Sequence, residues 1–138
     1  MLRLRLDPSR PASPSAQLAQ GLLDAVARGE VGAGEQLPTV RGLAEQVVVN
    51  PNTVAKVYRD LEALGVVEGR HGSGVFVTTA GPEIARRERR AAIAEALRRA
   101  LEAALASGLE RAEVREHVEC VLAAGARTEG TAKKGGRA

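Results

Sequence analysis

Residues 49–64, VNPNTVAKVYRDLEAL, limit the fold of this chain more than any other stretch. Asn50 suits the N-cap of a helix, where its side-chain oxygen accepts a free backbone N–H of the first turn. Pro51 follows at the first helical position, where its missing donor costs nothing and its φ is already helical. Val54, Val57, Tyr58, Leu61 and Leu64 recur at spacings of three and four, so they share one face, and Leu61 to Leu64 are expected in the core. Near the N-terminal end the other face carries Asn52, Thr53 and Lys56. These are compact polar and cationic groups of the kind that reach base edges and phosphates. A helix buried on one side with a polar tip has the form of a recognition helix. It is also the form of any amphipathic surface helix, and the flanking sequence has to separate the two.

Upstream, LRLRL at residues 2–6 alternates apolar and basic residues, which predicts a short edge strand. Pro8, Pro11 and Pro14 interrupt regular structure. Ser13–Pro14 repeats the cap-and-proline pairing and opens a helix over 14–28, with Leu18, Leu22, Ala25 and Val26 on one face and Gly29 as its stop. VGAGEQLP is a turn with Val31 and Leu37 tucked inward. Thr39 caps a helix over 39–47 whose apolar face is Val40, Leu43, Ala44 and Val47, with Arg41 on the other side. After a break at Val48–Val49 the opening helix begins, and two short helices so joined make a helix-turn-helix. Gly65 ends the third helix. Val66–Glu68 and Val75–Val77 read as strands around GRHGSG, a hairpin whose tip is Arg70, His71, Gly72 and Ser73. A helix-turn-helix followed by a hairpin is a winged helix.

Gly81–Pro82 marks a boundary. A helix over 83–106 carries Ile93, Leu97, Ala100, Leu101, Ala104 and Leu105 on one side, with Arg86, Arg87, Arg89 and Arg90 near its start, and Gly108 ends it. A helix over about 110–123 has Val114, Val118, Val121 and Leu122 in register. From Gly125, GARTEGTAKKGGRA shows no apolar period and is expected to be disordered. The chain is thus expected to be mostly α with a small β wing. Residues 1–80 make a winged helix-turn-helix, 81–123 a two-helix dimerisation unit and 124–138 a disordered basic tail. Two helices cannot cover both apolar stripes, and a second copy of the chain supplies the missing cover.

Charge gives little support to a nucleic-acid partner. Residues 1–80 hold eight Lys/Arg and eight Asp/Glu, residues 81–123 eight of each, and the whole net charge of +3 lies beyond them. A claim of DNA binding must rest on where the charges sit. Tyr58 and Phe76 are the only aromatics, so the core is aliphatic. One cysteine and two histidines give neither an internal disulfide nor a zinc site, so no metal or cofactor is expected. Cys120, beside the Val118/Val121/Leu122 stripe, is expected to be a packed thiol. No nucleophile–base pair is present, and GRHGSG lacks the Lys-Ser/Thr of a phosphate loop, so the chain is not expected to be an enzyme. Nothing approaches a membrane span or a signal peptide, which predicts a cytoplasmic protein without membrane contact. Some side chains stay open between roles. Tyr58 is core or a phosphate donor, Arg59 is similarly open, and Arg86–Arg90 are solvated, an inter-subunit surface or a DNA flank contact. Four positives at a helix start oppose its macrodipole, which favours a partner.

LPTVRGLAEQ, VNPNTVAKVYRDLEALG and GRHGSGVFV, in this order and spacing over residues 13–78, resemble the GntR family of bacterial transcription regulators. The resemblance implies a dimer that binds a palindromic double-stranded DNA operator through the winged helix. It also implies contacts from Arg41, from the helix tip at Asn50, Asn52, Thr53 and Lys56, and from the wing at His71 and Gly72 with Arg70 and Ser73 beside them. With the adjoining caps, the candidate DNA-binding set is Thr39, Arg41, Asn50, Pro51, Asn52, Thr53, Lys56, Arg70, His71, Gly72 and Ser73. The short C-terminal part is similar to that of the YtrA subfamily, whose C-terminal helices dimerise and whose members repress neighbouring transporter genes. The basic tail departs from that pattern. The expected function is a dimeric, sequence-specific repressor, and no effector is readable. The rival is a winged-helix adaptor that binds a partner protein through residues 83–123.

Overall fold

The computed structural model describes residues 2–132. Its elements are α1 (Pro14–Ala27), α2 (Val40–Val47), α3 (Pro51–Leu64), β1 (Val67–Arg70), β2 (Gly74–Val77), α4 (Gly81–Ala106) and α5 (Arg111–Ala132). The strands form a two-stranded antiparallel wing, with Val67 opposite Val77 and Arg70 opposite Gly74. Five helices and this hairpin give a mostly α fold with a small β wing. The chain forms two compact units, the first ending at Ile93 and the second starting at Ala94.

Local capping chemistry starts the three short helices where the sequence predicts. Ser13 Oγ accepts from Ala16 N at 3.1 Å, Thr39 Oγ1 from Gly42 N at 3.0 Å, and Asn50 Oδ1 from Asn52 N at 2.8 Å. Each bond satisfies a first-turn donor that the helix itself cannot. Gly29 and Gly65 take positive φ at the ends of α1 and α3. The apolar faces then meet in one core, in which Leu18, Leu22, Val26, Leu43, Val54, Val57, Val66 and Val77 are buried. Burying a side chain of this size contributes about 1.5–3 kcal/mol, which is why tertiary packing can hold helices as short as the eight residues of α2. Leu64 lies outside that core. It is 41% exposed, because the last turn of α3 runs past the elements that cover Leu61.

Residues 2–6 do not form the expected strand. Their alternation is nevertheless real: Leu2 is buried, Leu4 and Leu6 pack against the core, and Arg3 and Arg5 are exposed. Side chains, not a neighbouring strand, bond the backbone at the two ends of this stretch. Gln46 Nε2 donates to Leu2 O at 3.1 Å. Gln17, a buried polar side chain, accepts from Asp7 N at 2.8 Å and donates to Asp7 O at 2.8 Å and Ala12 O at 2.9 Å. Residues 2–12 thus form a strap. Leu4 reaches α1 at Gly21, where a Cβ would stand 3.0 Å from Leu4 Cδ2.

The connection between α2 and α3 is strained. Val48 has φ 57°, in the left-handed region, and is 88% exposed. An L-residue there costs about 1–2 kcal/mol, and branching at Cβ makes the position worse. Glycine would remove that strain while giving back roughly 0.5–1 kcal/mol through its freer unfolded chain. Val48→Gly is therefore expected to raise the unfolding free energy by about 0.5–1 kcal/mol in urea titrations. A loss of stability would instead show that the isopropyl group packs.

The first unit runs past the Gly81–Pro82 boundary expected from sequence. Gly81 is buried so tightly that a Cβ would lie 2.5 Å from Val66 O and 2.8 Å from Val77 Cγ1. Ala85 is fully buried and Ile84 packs on the core. Arg89 then pairs with Asp24 of α1, and Arg86 donates to Ala27 O at 3.4 Å and pairs with Glu83 at 3.2 Å. Two of the four clustered arginines thus hold α4 against α1, a role the sequence did not suggest. Arg87 and Arg90 are exposed, with no ion pair among the described residues.

In the second unit Gly108 turns the chain at φ 94°. Glu113 reaches back to Glu110 N at 3.0 Å, which caps α5. This helix continues to Ala132, so residues 125–132 are helical where disorder was expected, and the rest of that expected tail, 133–138, lies outside the described residues. Arg98 bridges Glu95 and Glu102, and Arg99 pairs with Glu95 at 3.1 Å, along the outer surface of α4. Leu97, Leu105, Val121 and Leu122 are 58%, 43%, 71% and 60% exposed. Leu101, Ala104, Val114 and Val118 are half-buried, Ala100 is exposed, and Ile93, at the end of the first unit, is 56% exposed. Cys120 is exposed in the single chain, not packed. No helix among the described residues is long and apolar enough to cross a membrane.

Candidate nucleic-acid interface

The candidate residues come from three elements: the start of α2, the start of α3 and the tip of the wing. One short segment, Gly34–Pro38, joins the elements that carry them. It runs as an added edge beside β2, with Gly34 N donating to Val77 O at 2.8 Å, Val77 N to Glu35 O at 2.9 Å and Leu37 N to Val75 O at 2.8 Å. Gln36 pairs opposite Phe76 as an isolated bridge, and its Nε2 donates to Ser73 O at the wing tip at 2.9 Å. Pro38 O accepts from the Tyr58 hydroxyl at 2.7 Å. Thr39, the next residue, caps α2. The wing, the middle of α3 and the start of α2 therefore share one backbone reference. The sequence showed only a turn here. Glu35 and Gln36 are both polar and exposed, so no alternation marks the segment as a strand.

Tyr58 is 4% exposed, so its hydroxyl has no path to a phosphate and the core reading holds. Burial pushes its phenol above the ordinary value of 10.0. The neutral phenol is the form that donates to Pro38 O. A pKa that folding raises contributes stability that is complete below the unfolded value and lost as pH rises toward the folded one. Stability is thus expected to fall above about pH 10. Tyr58→Phe should remove that component and cost about 1 kcal/mol at neutral pH. Urea titrations at neutral and alkaline pH check both.

At the α3 tip Asn50, Pro51 and Asn52 are exposed and Thr53 is half-buried. Asn50 is partly committed, since its Oδ1 caps the helix. The Asn52 side chain has no hydrogen bond among the described residues, and neither does Arg41, which stands exposed in the first turn of α2. Lys56 is also exposed but pairs with Asp60 at 2.9 Å, one turn further on, so its charge is largely answered within the helix. Arg59 is exposed and makes no ion pair among the described residues.

In the wing Arg70 belongs to β1. It turns back along the hairpin, with its guanidinium 4.3 Å from the Phe76 ring centroid and an ion pair to Glu68 at 2.9 Å. The turn itself is His71, Gly72 and Ser73, all exposed, closed by Ser73 N donating to Arg70 O at 2.9 Å. Gly72 takes φ 72°. Gly74 takes φ 117°, and a Cβ there would be 2.4 Å from Gln36 Nε2, so glycine lets the framing segment close on the wing. The surface thus offers amide, hydroxyl, imidazole and backbone groups with the Arg41 guanidinium, a set suited to hydrogen bonding along a polyanion.

These elements define a winged helix-turn-helix, the architecture of a DNA-binding domain. Residues 14–77 match the family described as "Bacterial regulatory proteins, gntR family". The HTH-type transcriptional repressor YtrA of Bacillus subtilis is 33% identical over 75 residues, 54% of this chain and 58% of that protein. A transcriptional regulator from Oenococcus oeni superposes with a TM-score of 0.64 at 28% identity, covering 85% of this chain and 97% of that one. YtrA from Sulfolobus acidocaldarius, a GntR-family transcription factor, does so with a TM-score of 0.52 at 25% identity, covering 87% and 97%. Over residues 14–77 this chain is similar to the GntR family, and it is similar to YtrA proteins in both sequence and structure. The chain spans about half the length of the curated relatives it matches.

Proposed function

We propose that this protein is a sequence-specific transcriptional regulator, a cytoplasmic repressor that binds a palindromic DNA operator as a homodimer. The observation that carries the reading is the grouping of the unpartnered Arg41 and Asn52 side chains with the exposed His71–Ser73 turn on one frame, Gly34–Pro38. In this reading the α3 tip enters the major groove of one half-site, Arg41 anchors a phosphate or a guanine edge, and the wing turn follows the adjacent backbone. Asn50, Pro51, Thr53, Lys56 and Thr39 shape the tip around them. Repression is supported by the likeness to the Bacillus subtilis repressor, and the YtrA-type resemblance extends the reading to a neighbouring transporter operon.

The dimer is supported by the apolar surface of the second unit. Leu97, Leu101, Ala104, Leu105, Val114, Val118, Val121 and Leu122 are left partly or largely uncovered by the single chain. Ile93 and Ala100 extend the same stripe on α4. A second copy buries such a surface by packing like on like about a two-fold axis. The test is selection of bound fragments from the source genome, followed by footprinting. Recovery of an inverted repeat beside a small set of promoters is the expected result. Recovery of random fragments would overturn sequence specificity.

A further inference from the structure

Among the described residues, Arg41 is the one cation of the candidate DNA-binding set that makes no ion pair, since Lys56 is answered by Asp60 and Arg70 by Glu68. Each phosphate contact contributes about 0.9 to the slope of log affinity against log salt, so one such guanidinium per half-site is a thin electrostatic anchor. The strap supplies a second in a defined place. Leu6, Pro8, Arg10, Pro11 and Pro14 border one side of an open groove of about 640 Å³, and Val47–Val49, the connection that ends at the Asn50 cap, border the other. Arg10 is exposed on that groove and makes no ion pair or side-chain hydrogen bond among the described residues.

The position is also held. Asp7 accepts from Ser9 N at 2.9 Å and Ser9 Oγ at 2.6 Å, and Arg10 N donates to Asp7 O at 3.2 Å, which turns the chain tightly just before Arg10. The Ser9 hydrogen bonds, and after them the charge of the nearby Arg10, hold the Asp7 carboxyl below its usual range, and the Asp7 and Arg10 side chains form no ion pair. Gln17 fixes the start of this turn at Asp7 and the chain beyond it at Ala12. A cation on a pinned backbone, across a groove from the residues that lead into α3, loses little entropy when it meets a phosphate.

We propose that the proline-rich strap is a third DNA-contacting element, in which Arg10 bonds a backbone phosphate beside the tip of α3. The proposal rests on the DNA-binding reading above. It makes Arg10 a contributor to affinity for any duplex, since a phosphate contact carries no base information.

The test measures binding by fluorescence anisotropy between about 50 and 200 mM salt, a range over which phosphate contacts dominate the change. The probes are the selected fragment and sheared double-stranded DNA of mixed sequence. Arg10→Ala is expected to lower the salt slope by about 1.8 on both probes, about 0.9 for each of the two Arg10 side chains of the dimer, and Arg10→Lys to keep it. Arg28→Ala is the control, because Arg28 follows the far end of α1 and its loss changes the net charge equally. An unchanged slope for Arg10→Ala while Arg41→Ala lowers its own overturns the proposal, as do equal falls for Arg10→Ala and Arg28→Ala. If the unaltered protein binds neither probe, the DNA-binding reading itself fails, a result distinct from both.

Discussion

Leu97→Glu or Leu101→Glu is expected to yield a monomer. Leu97 is 58% exposed in the single chain and Leu101 half-buried, so a carboxylate at either position leaves the isolated fold intact. In the proposed dimer both side chains are covered. Each leucine then contributes roughly 1.5–3 kcal/mol of burial, and a two-fold interface loses that twice per substitution. An unpaired carboxylate driven into the same place adds a desolvation cost of several kcal/mol. Sedimentation velocity should show the wild type as a dimer and both variants at half the mass, with unchanged helical circular dichroism. A dimer that survives both substitutions would move the interface away from this stripe. Loss of the dimer should also weaken operator binding steeply, because one half-site offers only half the contacts.

Arg41→Ala and Asn52→Ala form the second test, directed at the winged helix. Both side chains are exposed, so their removal should leave the fold and the dimer unaffected. A well-formed side-chain contact to a base edge is worth about 1–3 kcal/mol of discrimination. In the proposed dimer two such contacts are lost, so Asn52→Ala should lose roughly thirtyfold or more in affinity for the selected fragment while binding to mixed-sequence DNA changes little. Arg41→Ala should lose affinity for both probes if the guanidinium meets a phosphate, and mainly for the selected fragment if it meets guanine. Unchanged specific affinity in an anisotropy titration would remove Arg41 and Asn52 from the interface. Lys56→Ala should have a smaller effect, because Asp60 already offsets its charge.

How far the sequence could be read follows from the range of each interaction. Ser13, Thr39 and Asn50 cap their helices through bonds to residues two or three positions away, and Gly29 and Gly65 end them by their own backbone freedom. Such signals are complete within one turn, so the sequence alone marks the three helices of the winged helix. Periodicity likewise placed Leu18, Leu22, Leu43, Val54 and Val57 inside. It failed at Leu64, where the pattern continues but the covering elements stop, and at residues 2–6, where alternation was present without a partner strand. It also failed at residues 125–132, which are helical without an apolar period.

The chain order of caps, breakers and apolar residues was enough to set the elements, their order and the side chains at the α3 tip. Tertiary contacts settled which of those side chains remain free and what holds them together. Gln36 meets Ser73 across 37 positions, Tyr58 meets Pro38 across 20, and Arg89 meets Asp24 across 65. No local pattern encodes such pairs, because the energy of each depends on the whole core having already brought its two partners within a few ångströms.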